Sequence, residues 1–145
     1  MSPHIFLVAG EESGDRLGAA LIAAIRRRHP GARFSGVGGA QMAGQGVQGL
    51  FPLGDLAIIG FAAIPASLPK ILKRIRETAD AAIAAKPDVL VIIDSPEFTH
   101  RVARRVRAIA PAIPIVDYVC PSVWAWRPGR ARAMRTYVDH VLALL

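Results

Sequence analysis

The sequence predicts an α/β domain: a Rossmann-like parallel sheet covered by helices. Three observations predict it. Asp88–Asp94 contains an unbroken apolar run, Val89-Leu90-Val91-Ile92-Ile93, the composition of a strand buried on both faces. Short apolar runs alternate with amphipathic stretches of helical period, which is the order of a parallel sheet with crossover helices. Gly and Pro clusters mark the changes between them.

The elements follow in order. Ile5–Ala9 is an apolar run that ends at Gly10. A helix is expected from about Gly14 to His29, with Ser13 as its cap and Leu17, Leu21, Ala24 and Ile25 on one face. Arg26–Arg28 crowd its last turn, where the helix dipole favours cations, and Pro30-Gly31 stops it. Phe34–Val37 reads as a second strand leading into Gly36-Val37-Gly38-Gly39, then Ala40–Gln45 as one or two helical turns. Leu50–Ile64 is apolar without a clear period. Pro69–Lys86 is an amphipathic helix with Leu72, Ile75, Ala79 and Ile83 on one side and Lys70, Lys73, Arg74 and Arg76 on the other. Glu97–Ala110 is a helix with Phe98, Val102, Val106 and Ile109 inward, and Ile113–Val119 is a strand. Arg130–Tyr137 reads as helical and Val138–Leu145 as a last strand of buried type. A chain that stops on such a strand is expected to continue into a second domain.

Composition narrows the class. With 52% hydrophobic residues in 145, the chain buries a real core and is not disordered. The lone Cys120 excludes a disulfide framework and a cysteine-rich zinc site, and His4, His29, His100 and His140 lack metal-ligand spacing. No metal or cofactor is expected. The formal net charge is +7, and it is local: eight Arg and one Asp lie between residues 101 and 135. Leu56–Pro69, an uncharged and largely apolar stretch, has fourteen residues, whereas a spanning helix needs about 20. No basic leader precedes the first strand, so a cytosolic location is expected, with membrane-surface contact open.

Four segments fall at the carboxyl ends of strands, where open α/β sheets bind ligands. Gly10-Glu11-Glu12-Ser13-Gly14-Asp15 is a strand-to-helix turn. Its three carboxylates argue against a phosphate and suit sugar hydroxyls or proton transfer; a capped, solvated helix start is the plain alternative. Gly38 and Gly39 allow close ligand approach or a simple tight turn. Asp94 and Glu97 place two carboxylates at one strand end, as bases or as a cap with a dipole partner. Ser122, Trp124, Trp126 and Arg127 lie in a Trp-rich loop that reads as a cleft wall or as a packing surface for another domain. Arg127 and Arg130 sit near this edge, while Arg101, Arg104, Arg105 and Arg107 read as a solvated helix face. Ile58, Ile59, Phe61 and Ile64, followed by Leu68, Leu72 and a basic helix, fit either the core or a surface dipping into an anionic membrane.

Taken together, Ala9–Asp15, Phe34–Gly39 followed by Met42, Asp94-Ser95-Pro96-Glu97-Phe98 and Pro121-Ser122-Val123-Trp124-Ala125-Trp126-Arg127 resemble the N-terminal domain of the lipid A disaccharide synthase family. The resemblance covers Ile5 to Leu145. It implies the N-terminal, acceptor-side half of a GT-B type inverting glycosyltransferase, over residues 1–145, with the C-terminal nucleotide-sugar domain outside this chain. The implied reaction moves 2,3-diacylglucosamine from UDP-2,3-diacylglucosamine to 2,3-diacylglucosamine 1-phosphate, giving the β-1,6 disaccharide and UDP. It further implies a peripheral location on the inner face of the bacterial inner membrane and allows a homodimer of the full-length protein. The base for the acceptor 6-hydroxyl is then Asp94, Glu97 or Glu11. Gly10, Ser13, Gly14, Asp15, Gly38, Gly39, Ser122, Trp124 and Trp126 are expected to bind substrate, and Arg127 or Arg130 to meet the acceptor phosphate. Ile58–Leu72 matches the family's membrane-facing patch. The family's usual Asp-x-Pro-Asp-Phe-Asn reads here with Glu97 and Thr99 in place of the second Asp and the Asn.

Two other classes compete. A small-ligand or nucleotide-binding module explains the sheet but not the Trp loop or the clustered carboxylates. A nucleic-acid binder would use the local positive field, yet the chain carries no nucleic-acid motif.

Overall fold

The computed structural model describes residues 2–57, 68–119 and 134–143. Five strands, β1 (His4–Ala9), β2 (Arg33–Val37), β3 (Val89–Ile93), β4 (Ile115–Val119) and β5 (His140–Ala143), form one parallel sheet in the order β2-β1-β3-β4-β5. Among the described residues, five helices accompany them: α1 (Glu12–Arg28), α2 (Ala40–Gly44), α3 (Gly54–Ala57), α4 (Leu68–Ala85) and α5 (Pro96–Ile109). The expected α/β architecture is present.

Alternation along the strands divides the core between the two faces of the sheet. Phe6, Val8, Leu90, Ile92 and Ile115 pack with Ile75, Ala79 and Ala82 of α4 and Phe98, Val102 and Val106 of α5. Ile5, Leu7, Ala9, Val91 and Ile93 pack with Ala19 and Ile22 of α1 and Met42 of α2. β1 and β3 supply both layers, which is why Ile5–Ala9 and Val89–Ile93 are unbroken apolar runs.

Several expectations shift. α1 starts at Glu12 with Glu11 as its cap residue, so Ser13 lies inside the helix and caps nothing. Its buried centre is Asp15, Gly18, Ala19 and Ile22, rotated from the Leu17/Leu21/Ala24/Ile25 face, which sits at the margin. Gly18 allows this: a Cβ there would stand 2.8 Å from the Met42 sulfur and 3.1 Å from Ile93 Cδ1. Leu72 does not face the core; Leu68 and Leu72 are 48% and 44% exposed. Arg74 does not face away. Its guanidinium covers the Phe51 ring at 4.6 Å and pairs with Asp55 at 2.6 Å and Glu77 at 2.7 Å. Phe51 and Leu56, from the stretch without a clear period, are core residues. Ile109 is exposed at the end of α5. β5 is an edge strand whose Val141 and Leu142 are each 51% exposed, because nothing among the described residues covers them. Only Met134 is helical in the described part of Arg130–Tyr137, and residues 144–145 lie outside the described range.

Candidate functional site

The order β2-β1-β3 makes the chain cross from one side of β1 to the other, so a switch point opens at the carboxyl ends of β1 and β3. Ala9 and Ile93 are register partners, and the two turns that follow them meet. Gly10 is the contact. A Cβ there would fall 2.7 Å from Ser95 Cβ, so only glycine lets the β1–α1 turn lie against the β3–α5 turn. Gly14 is similarly tight, with a Cβ 3.2 Å from the Ile93 carbonyl oxygen.

Asp94 stands in this crevice. It does not cap α5: the cap residue is Ser95, with Pro96 opening the helix. Asp94 and Ser95 both adopt left-handed backbone, with φ of 50° and 44°. Two consecutive non-glycine residues in that region carry strain. Thr99 holds the turn by donating its hydroxyl to the Asp94 carbonyl at 2.6 Å and to the Ser95 carbonyl at 3.2 Å. Burial raises the Asp94 carboxyl above the ordinary value of 3.8, the charges of Glu11 and Asp117 add to this, and the Ser95 N–H opposes it. Such a carboxylate is a better proton acceptor than a solvated one. Glu11 and Glu97 are exposed at the rims, and the Ser13 hydroxyl donates to Glu11 Oε1 at 3.3 Å. The structure therefore brings Gly10, Glu11 and Asp94 together, with Glu97 one helical turn away.

Asp15 has a different task. It is 4% exposed, and its carboxylate accepts three backbone N–H groups: Gly39 at 2.7 Å, Gln41 at 2.9 Å and Met42 at 2.9 Å. The β2–α2 turn is thus tied to α1, and the start of α2 is filled by the protein's own anion. Gly38 and Gly39 serve this packing. A Cβ on Gly38 would meet Met42 Cβ at 2.9 Å, and one on Gly39 would meet the Asp15 carboxylate at 2.9 Å.

Beside this knot lies a cavity of about 860 Å³. Glu12, Arg16, Gly38, Gly39 and Gln41 give it a polar wall, and Leu50, Phe51, Pro52 and Leu53 an apolar one. It opens on the β2 side of the β1–α1 turn, whereas Asp94 lies on the β3 side. Arg16, Gln41 and Phe51 were not marked by any motif.

On the far side of Asp94, His100, Asp117 and Tyr137 form a buried polar bridge with no sequence signature, since their meeting depends on the register of β3 with β4. Of the four helix arginines, Arg101 and Arg104 are exposed, as on a solvated face, and three of the four have partners. Arg104 stacks on Tyr137, Arg105 pairs with Asp80, and Arg107 pairs with Asp139. Among the described residues, no group of three or more His, Cys, Asp or Glu is placed to hold a metal ion, and no helix is long and apolar enough to cross a membrane. Ser122, Trp124, Trp126, Arg127 and Arg130, with Ile58, Ile59, Phe61 and Ile64, lie outside the described residues.

A parallel sheet of this order, with carboxylates at its switch point, defines a Rossmann-like α/β domain. Comparison with known proteins narrows the class. The sequence profile of the lipid-A-disaccharide synthetase family matches residues 5–145, and the chain belongs to that family. It is 72% identical over 145 residues to a lipid-A-disaccharide synthase of Nitrobacter hamburgensis, covering 99% of this chain and 37% of that protein. It is 67% identical over 142 residues to one of Bradyrhizobium diazoefficiens, covering 97% and 36%, and 51% identical over 142 residues to one of Rhodospirillum centenum, covering 97% and 35%. The chain thus spans little more than a third of the length of these relatives.

Proposed function

We propose that this chain is the acceptor-side domain of a glycosyltransferase that joins two acylated glucosamine units in lipid A biosynthesis. The donor is UDP-2,3-diacylglucosamine, the acceptor is 2,3-diacylglucosamine 1-phosphate, and the nucleotide-sugar domain belongs to the rest of the protein. Family membership supports the reaction, and the placement of Asp94 carries the residue-level reading. In the transfer, the acceptor 6-hydroxyl oxygen bonds to the anomeric carbon of the donor. The bond from that carbon to the UDP phosphate oxygen breaks with inversion, and the hydroxyl proton passes to a carboxylate.

Asp94 is the carboxylate best suited to receive it. Burial and Glu11 raise its affinity for a proton, and the Thr99-braced turn fixes its backbone. Glu97 and Glu11 are more exposed and serve the rim, where they accept hydrogen bonds from sugar hydroxyls. The neighbouring cavity, polar on one wall and apolar on the other, suits an acylated sugar. Exposed Leu68 and Leu72, interleaved with Lys70 and Lys73, support contact with an anionic bilayer, from which both substrates come.

The test is Asp94→Asn in the full-length enzyme. Turnover is expected to fall by about 10²- to 10⁴-fold with little change in donor affinity. Near-wild-type turnover in Asp94→Asn would remove Asp94 as the base.

A further inference from the structure

Behind Asp94, on the α4/α5 side of the sheet, three polar side chains meet inside the core. His100, in the first half of α5, is 6% exposed, and Asp117, in the middle of β4, is fully buried. His100 Nε2 lies 3.0 Å from Asp117 Oδ2, and its Nδ1 lies 2.8 Å from the Tyr137 hydroxyl. The other Asp117 oxygen, Oδ1, has no hydrogen-bond partner among the described residues. A buried carboxylate with one oxygen unanswered is costly, and apolar residues of similar volume would often be at least as stable. Stability alone therefore does not account for the cluster.

Its position does. Ile92 is the register partner of Asp117, and Asp94 follows Ile92 by two residues, so Asp94, just past the end of β3, is a diagonal neighbour of Asp117 in β4. The Asp94 N–H also donates to the Tyr118 carbonyl of β4 at 3.2 Å. Thr99, which braces the left-handed Asp94–Ser95 turn, is followed in the chain by His100. One side chain of α5 thus grips the turn and the next grips β4.

We propose that the His100–Asp117–Tyr137 bridge is a positioning device for Asp94: it locks the start of α5 to β4, holds the β3–α5 turn in its left-handed form, and sets a second negative charge beside the base. This rests on the reading of Asp94 given above. Among the described residues, the charged groups around Asp94 are Glu11 from the β1–α1 turn and Asp117 from β4. His100 of α5 stands behind Asp117, and Arg104 lies beyond it over the Tyr137 ring at 4.9 Å. The Asp117 charge acts to raise the Asp94 carboxyl, after burial and Glu11.

The experiment compares Asp117→Asn, Tyr137→Phe, His100→Leu and His100→Gln in the full-length enzyme, with Asp94→Asn alongside. Asp117→Asn keeps the shape and removes the charge. Its acid limb of kcat/KM is expected to move to lower pH, because the proton on Asp94 is held less tightly, and kcat to fall about tenfold. His100→Leu is expected to lose about 10- to 100-fold in kcat with KM little changed, and His100→Gln, which keeps an N–H for Asp117, to recover part of that loss. An inactive Asp94→Asn combined with an unmoved acid limb and unchanged kcat in Asp117→Asn and Tyr137→Phe would overturn this proposal alone, whatever happens to thermal stability. Full turnover by Asp94→Asn would remove the base assignment and this proposal with it. If His100→Leu does not fold, the Asp117→Asn and Tyr137→Phe pair decides.

Discussion

Replacing Asp15 tests how the ligand edge is held together. Its carboxylate accepts the N–H groups of Gly39, Gln41 and Met42 at 2.7, 2.9 and 2.9 Å. Asp15→Ala leaves three donors at the start of α2 without a partner. The Met42 bond is buried and charge-assisted, and its loss costs about 2 kcal/mol; the two part-buried bonds cost about 1 kcal/mol each. The combined loss of about 3–4 kcal/mol is a large share of a typical domain stability and lowers the midpoint of this domain's thermal transition by roughly 10–15 °C. Asp15→Asn separates charge from geometry. An Asn oxygen in the Oδ1 position keeps the Gly39 and Met42 bonds but turns its NH2 toward the Gln41 N–H, for a cost of about 1–2 kcal/mol. Thermal melts of the full-length protein give the size, and hydrogen exchange at the amides of Gly39, Gln41 and Met42 gives the place. A midpoint unchanged within about 2 °C in Asp15→Ala, with those amides still protected, would refute the knot.

Further consequences follow from the same geometry. Gly10→Ala drives a methyl into Ser95, so it should displace Asp94 and lower kcat at least tenfold while the protein stays folded, as steady-state kinetics and circular dichroism would show. Asp139 accepts the Ile115 N–H at 2.7 Å and pairs with Arg107; the first of these holds its carboxyl below 3.8, with the arginine adding and partial burial opposing. A depressed folded value stabilises the protein above the unfolded value, and that stability is lost as pH falls through the folded value. Asp139→Asn should therefore cost about 1 kcal/mol at pH 7, discounted for its exposure, with the gap to wild type closing below pH 3.8 in a pH series of denaturant melts. Leu68→Ser with Leu72→Ser should weaken sedimentation of the protein with anionic vesicles without changing its melting; undiminished binding would refute the membrane contact proposed for these two leucines.

What the sequence makes legible is whatever depends on neighbours along the chain. The Val89–Ile93 run specifies a strand buried on both faces because no other element of that length is apolar throughout. The amphipathic periods of α4 and α5 are likewise visible to within a residue or two at each end. Long-range contacts are not legible. Asp15 reads as a substrate-binding carboxylate of the β1–α1 turn, yet its bonds reach residues 24 to 27 positions away. His100 reads as an isolated histidine until strand register brings Asp117 to it. Arg104, Arg105 and Arg107 read as a solvated face because their partners Tyr137, Asp80 and Asp139 belong to other elements. The left-handed pair Asp94-Ser95 carries little sequence mark: aspartate tolerates that region, but a serine directly after it gives no signal of it. The exposure of β5 depends on what packs beside it, which a run of Val and Leu does not reveal.

Neither of the two glycine-containing turns at the ligand edge is free to hold a phosphate. The start of α2 is occupied by Asp15, whose anion takes the amides a phosphate would need. The start of α1 carries Glu11 as its cap residue and Glu12 in its first turn, which repel one. Both devices give the domain a ligand edge rich in carboxylate and poor in anion sites among the described residues. That suits the acceptor-side role proposed above, which handles hydroxyl groups and a proton rather than a nucleotide. The consequence is measurable in the full-length enzyme labelled with 15N-methionine, where Met42 reports on the α2 turn. Saturating UDP should leave the Met42 amide signal in place, and the lipid acceptor in detergent, entering the adjoining cavity, should move it. A Met42 signal that shifts with UDP and ignores the acceptor would mean that a phosphate competes with Asp15 for the turn, and the division of labour argued from these two helix starts would be wrong.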